Sequence, residues 1–138
     1  MKRSATAVWQ GTIKEGQGTL STQSKTLSST PYSFVSRFEN GAGTNPEELL
    51  AAAHAGCFTM MLSSLLTKEG FTPKQIDTQA DITLDPASGT ITTSQLTVKV
   101  QVPGIEQAKF AEIAKNAEQN CPVSKLFKAE IKLSFTLN

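Results

Sequence analysis

Two thiols, one imidazole and a few paired charges are the side chains in this sequence that could do chemistry. Cys57 and Cys121 are its two cysteines, and His54 is its one histidine. The cysteines lie too far apart for a C-x-x-C motif or a zinc knuckle, so no metal site is expected. Two are also too few for a secreted disulfide scaffold, and in a reducing compartment such thiols stay free or act in redox chemistry. Cys57 stands in His54-Ala55-Gly56-Cys57-Phe58. It reads either as a small buried hydrophobe or as a nucleophile. In mid-helix the macrodipole gives it little help, so a reactive Cys57 needs a cation from elsewhere. Cys121 precedes Pro122, which puts it at a helix start, where the dipole favours a thiolate or where it simply caps and packs. A Cys121 thiol of low pKa would leave readily from a disulfide, yet this chemistry leaves open which cysteine attacks substrate. His54 shares a helix face with Cys57 and fits either a Cys–His pair or a packed core histidine. Taken singly, Arg37 and Glu39 read as a strand-surface pair, and Glu47 and Glu48 as helix-start charges.

The elements that must position these groups are legible from periodicity. Ala5, Ala7, Trp9 and Ile13 alternate with polar neighbours as a strand, and a turn at Gly16-Gln17-Gly18 leads to a second strand through Leu20. After Pro31, the residues Tyr32, Phe34, Ser36 and Phe38 take one side of a further strand that ends at Gly41-Ala42-Gly43. Asn45 then reads as an N-cap, with Pro46 at the first helical position and Glu48 completing a capping box. Gly70 and Pro73 close this helix. Residues 49–66 are nearly free of charge and approach the roughly 18 residues of a membrane span. His54, Gly56, Thr59, Ser63, Ser64 and many alanines make the stretch too polar for lipid, so a central core helix is expected. Ala80, Ile82 and Leu84, then Leu96, Val98, Val100 and Val102, alternate as two strands around a hairpin loop at Asp85-Pro86-Ala87-Ser88-Gly89. Phe110, Ile113, Ala114 and Ala117 follow helical spacing, Cys121-Pro122 begins a short helical piece, and Ile131 to Leu137 alternate to the end. The order predicts an α+β fold with mainly antiparallel sheet around a long helix and a second helix.

Composition narrows the partners. The length suggests one domain over 1–138. Thirteen basic and twelve acidic residues give a net charge of +1, which excludes a strongly basic nucleic-acid footprint and an acidic tail. Charged residues make up 18%, below the usual share of about 25%, as in a chain that hides surface in an oligomer. The basic start lacks an apolar h-region, so no signal peptide and a cytoplasmic location are expected, with no membrane partner.

Taken together, the motifs are more specific than any single residue. Arg37-Phe38-Glu39, Gly43-Thr44-Asn45-Pro46-Glu47-Glu48-Leu49, Ala52-Ala53-His54-Ala55-Gly56-Cys57-Phe58 and Asn120-Cys121-Pro122-Val123-Ser124 resemble the OsmC/Ohr family, and Trp9-Gln10-Gly11 and Gly18-Thr19-Leu20-Ser21-Thr22 look like its OsmC branch. The resemblance implies a thiol peroxidase that prefers organic hydroperoxides. By this match Cys57 is the peroxidatic cysteine, Cys121 the resolving one, and Arg37 and Glu47 the catalytic Arg–Glu pair. His54 matches the OsmC branch, and the aromatic residue common there in Ohr sequences argues against a general-base role. The resemblance further implies an intertwined homodimer with sites at its interface. No bound cofactor is expected, only an external dithiol reductant such as a protein-bound lipoyl group. A Cys57-based hydrolase or acyl transferase, and a carrier of apolar molecules using Phe58, Met60 and Met61, are the alternative readings of the same residues.

One spacing bears on the interface. Glu47 and Cys57 on a single straight helix would lie about 15 Å apart along its axis and about 80° apart in direction. If both serve one site, Glu47 and Arg37 reach the Cys57 of a second chain.

Overall fold

The structure, a computed structural model, describes residues 1–138. In chain order the elements are β1 (Ala5–Gln10), β2 (Gln17–Thr22), β3 (Thr30–Tyr32), α1 (Phe34–Phe38), α2 (Pro46–Lys68), β4 (Gln75–Asp85), β5 (Thr90–Gln101), α3 (Gln107–Asn120), α4 (Pro122–Leu126) and β6 (Glu130–Leu137). This is an α+β fold with two three-stranded sheets. Its contacts form two compact units, Met1–Leu49 and Leu50–Asn138.

In the first unit β1, β2 and β3 form an antiparallel sheet in that order. Trp9 pairs with Gly18, which pairs with Tyr32, and the two rings meet edge-on at 5.5 Å. A Cβ at Gly18 would collide with both rings, so only glycine permits this approach. β1 stops at Gln10 and does not extend to Ile13, because Gly11 takes φ 95° and turns the chain out of the strand.

The segment after Tyr32 is not the expected strand. Residues 34–38 form α1, capped by Ser33. Ser33 Oγ accepts from the Ser36 N–H at 3.2 Å, and the Ser33 N–H donates to Ser36 Oγ at 2.8 Å. Ser36 Oγ also donates to the Thr44 carbonyl at 2.8 Å. These local bonds satisfy the backbone groups that a strand would have left for a neighbour. The aromatic alternation survives as an i, i+4 pair, with the Phe34 and Phe38 rings 4.9 Å apart.

At the start of α2, Asn45 Oδ1 accepts from the Glu48 N–H at 2.8 Å, as an N-cap should. The reciprocal half of the box is absent, since Glu48 instead accepts from Thr44 Oγ1 at 2.6 Å. The helix ends in a Schellman turn. Phe71 N–H bonds the Leu66 carbonyl, Gly70 N–H bonds the Thr67 carbonyl, and Gly70 takes φ 87°.

The second unit holds the main core. β5 lies between antiparallel β4 and parallel β6. The parallel pairing needs a crossover, which α3 and α4 supply. Leu96, Val98 and Val100 of β5 pack with Phe58, Leu62 and Leu66 of α2 and with Phe110, Ile113 and Ala117 of α3. The expected central core helix is only half that. His54, Phe58, Leu62 and Leu66 form its buried stripe, while Ala52, Gly56, Met60 and Ser64 are exposed. α2 is long and apolar enough to meet the length and composition of a membrane span, a property that core helices share.

Candidate active site

Cys57 and Cys121 come together in the second unit. Cys57 lies on α2 and is half-buried. Cys121 is fully buried at the junction of α3 and α4, and both are free thiols. The junction is built from backbone. Cys121 N–H closes α3 onto the Ala117 carbonyl at 2.9 Å, and the Cys121 carbonyl accepts the Lys125 N–H at 3.0 Å to open α4. Pro122 at the first helical position fits because that position has no partner for an N–H. Cys121 therefore caps two helices with its main chain, and its side chain makes no cap hydrogen bond.

The electrostatics of Cys57 follow from these neighbours. Burial pushes its thiol above the usual range, and the Cys121 thiol within hydrogen-bonding reach pushes the same way. The backbone N–H of Val123, aimed at the Cys57 sulfur, works against both and favours the thiolate.

His54 is fully buried beside this pair. Its Nδ1 is 2.6 Å from Ser94 Oγ on β5, and its Nε2 is 2.8 Å from Ser124 Oγ on α4. The Phe127 ring meets the imidazole edge-on at 5.0 Å. Burial lowers the His54 pKa, so the ring is neutral at pH 7. With one nitrogen donating, the other accepting and both occupied by hydroxyls, it is a bridge and not a free base. Ser94 was missed in the sequence. Its signal is a serine on the inward face of β5, in line with Leu96, Val98 and Val100, where an apolar residue belongs unless a buried polar partner exists.

Arg37 and Glu47 form a second cluster, within the first unit. α1 supplies Arg37 and the first turn of α2 supplies Glu47. Arg37 Nε lies 3.1 and 3.3 Å from the two Glu47 oxygens, and Nη2 lies 2.8 Å from Oε1. This two-nitrogen contact fixes the guanidinium plane. The Phe38 ring lies 5.2 Å from its central carbon. Beside it opens a cleft of about 250 Å³, walled by Trp9, Tyr32, Phe34 and Phe38. Glu39 closes α1 through its backbone N–H, bonded to the Val35 carbonyl. No three His, Cys, Asp or Glu side chains converge as metal ligands.

Comparison with known proteins decides the relationship. Residues 39–136 match the family model described as OsmC-like protein. The chain belongs to the OsmC-like family. It is 51% identical over 133 residues to Peroxiredoxin OsmC of Escherichia coli, covering 95% of this chain and 93% of that protein. It is 26% identical over 98 residues to an organic hydroperoxide resistance protein of Xanthomonas axonopodis, covering 70% and 68%. Its fold is similar to that of an OsmC-like protein from Vibrio cholerae, with a TM-score of 0.77 at 17% identity over 99% of both chains. Bacillus subtilis OhrB shares it as well, with a TM-score of 0.64 at 22% identity over 98% of both chains. This OsmC-like protein is an oxidoreductase, a cysteine-based peroxidase with an antioxidant role.

Proposed function

We propose that this OsmC-like peroxidase reduces organic hydroperoxides to alcohols through Cys57, with Cys121 resolving the oxidised product. The observation that carries the reading is two free thiols in one neighbourhood, the half-exposed Cys57 packed against the core cluster that holds the buried Cys121. The Cys57 thiolate attacks the terminal peroxide oxygen, the O–O bond breaks, and the alkoxide leaves as alcohol after taking a proton. Cys57 is then a sulfenic acid. The Cys121 sulfur displaces its oxygen as water, and a Cys57–Cys121 disulfide results. An external dithiol, for which a protein-bound lipoyl group is the class we favour, returns both thiols and leaves as a cyclic disulfide.

Arg37 is the cation that the mechanism requires, and Glu47 holds it. The aromatic cleft beside Arg37 suits the carbon chain of an organic hydroperoxide better than hydrogen peroxide. Ten residues of helix rise amount to about 15 Å, so if Glu47 and Cys57 serve one site, Arg37 of one copy serves Cys57 of another. The exposed stripe Ala52, Gly56, Met60 and Ser64 gives a second copy a face of three small residues and one large apolar side chain on which to pack. The functional unit is then a homodimer in which each chain acts as one domain.

One equivalent of cumene hydroperoxide should give a Cys57–Cys121 disulfide by mass spectrometry. Cys57→Ser should abolish turnover. Cys121→Ser should consume the first equivalent and then form sulfinic acid at Cys57. A Cys121→Ser protein that keeps full turnover with dihydrolipoic acid and resists over-oxidation would refute the resolving role.

A further inference from the structure

His54 belongs to neither thiol, yet its side chain bonds both to α4, which Cys121 opens, and to β5. It stands one helical turn before Cys57 on α2. Ser124 stands three residues after Cys121 on α4, which is only five residues long. So short a helix has little stability of its own, and its placement depends on outside contacts. The His54–Ser124 hydrogen bond at 2.8 Å and the Phe127 ring against His54 are two such contacts, and both converge on one imidazole. The Ser94 hydroxyl at 2.6 Å fixes the same imidazole from β5.

We propose that His54 is a positioning residue that docks α4 on α2 through Ser124, and so aligns the Cys121 sulfur with Cys57 for disulfide formation. This inference rests on the peroxidase mechanism proposed above. The bond acts after the first oxidation. Once Cys57 is a sulfenic acid, two reactions compete. The Cys121 thiol can displace water to give the disulfide, or a second hydroperoxide can deliver its oxygen to give sulfinic acid and a second alcohol. Alignment speeds the first reaction and leaves the second unchanged, so the ratio of products reports the docking of α4.

The test treats the reduced full-length protein with rising amounts of cumene hydroperoxide, without reductant. Disulfide and Cys57 sulfinic acid are then counted by mass spectrometry. Ser124→Ala and His54→Gln should raise the ratio of sulfinic acid to disulfide about tenfold at a given peroxide concentration, as fits the loss of one buried hydrogen bond. Ser124→Thr, which keeps the hydroxyl, should restore the wild-type ratio. Leu66→Ala, a core truncation at the far end of α2, should lower the melting temperature and leave the ratio alone. Should His54→Gln fail to fold, Ser124→Ala probes the same bond from its other side. An unchanged ratio in folded Ser124→Ala protein, or an equal rise in Leu66→Ala, would overturn the positioning role. Wild-type protein that forms no disulfide at any peroxide concentration would instead overturn the underlying mechanism.

Discussion

At the scale of single residues, a thiol raised by burial and by a neighbouring thiol is a poor nucleophile until a cation reaches it. If Arg37 is that cation, its removal should leave Cys57 with its neighbours alone. In a Cys121→Ser background, Arg37→Ala should shift the pH profile of Cys57 alkylation upward by about one unit or more, within the usual range for loss of an adjacent opposite charge. An unchanged profile would remove Arg37 from the mechanism. His54 gives a prediction of opposite kind. Its folded pKa is lowered, so below the unfolded value near 6.5 the unfolded chain takes a proton that the folded chain refuses. Stability from the neutral ring is complete above about pH 6.5 and falls with pH until the folded pKa is reached. Urea unfolding at pH 7.5 and 5.5 should therefore show a larger loss in wild type than in His54→Gln, with a ceiling of about 1.4 kcal/mol per pH unit for one proton. Equal losses in the two proteins would exclude His54 as the source.

Elements are where local chemistry competes with pattern. At α1, serine side chains captured backbone groups and turned an alternating aromatic segment into a helix. At α2, Asn45 works on two fronts, capping the Glu48 N–H and donating from Nδ2 to the Ser36 carbonyl at 3.2 Å. It therefore joins α1 to the start of the helix that carries Glu47. Asn45→Ala should cost about 1 kcal/mol, the usual value of an N-cap. Thermal unfolding should show this as a drop of about 2–5 °C for a chain of this size. A second effect is expected on peroxidase activity, which should fall as the Arg37–Glu47 pair loses its support. A variant with unaltered melting temperature would mean that water satisfies the Glu48 N–H equally well.

For the whole molecule, the decisive proposal is that each site takes residues from two chains. Co-refolding Cys57→Ser chains with Arg37→Ala chains tests it, since each parent homodimer lacks one half of every site. If sites form between chains, a hybrid dimer holds one intact site, with Cys57 from one chain and Arg37 from the other. Isolated hybrids should then regain about half the wild-type activity per dimer. If sites form within a chain, every site in the hybrid is damaged, and activity at the parental level would exclude sharing.

The sequence by itself determined much of the fold, because most of its signals are local. Periodicity near 3.6 or 2 places α3, β5 and β6, while Pro46 and Gly70 mark the ends of α2, where backbone groups or left-handed geometry demand those residues. It also singled out the groups of interest, since thiols, an arginine and a glutamate in those motifs are recognisable without coordinates. Tertiary structure decided what depends on neighbours distant in the chain. Alternation could not tell whether the backbone of residues 34–38 would find a strand partner or be satisfied by Ser33 and Ser36 first. The apolar run of α2 could not reveal that only one stripe would be covered, because nearly all its faces carry small or apolar residues. Nor could spacing show that His54 would be held by Ser94, forty positions away, and Ser124, seventy positions away. A buried hydrogen bond is made by whatever the fold brings within about 3 Å, and no local pattern encodes that distance.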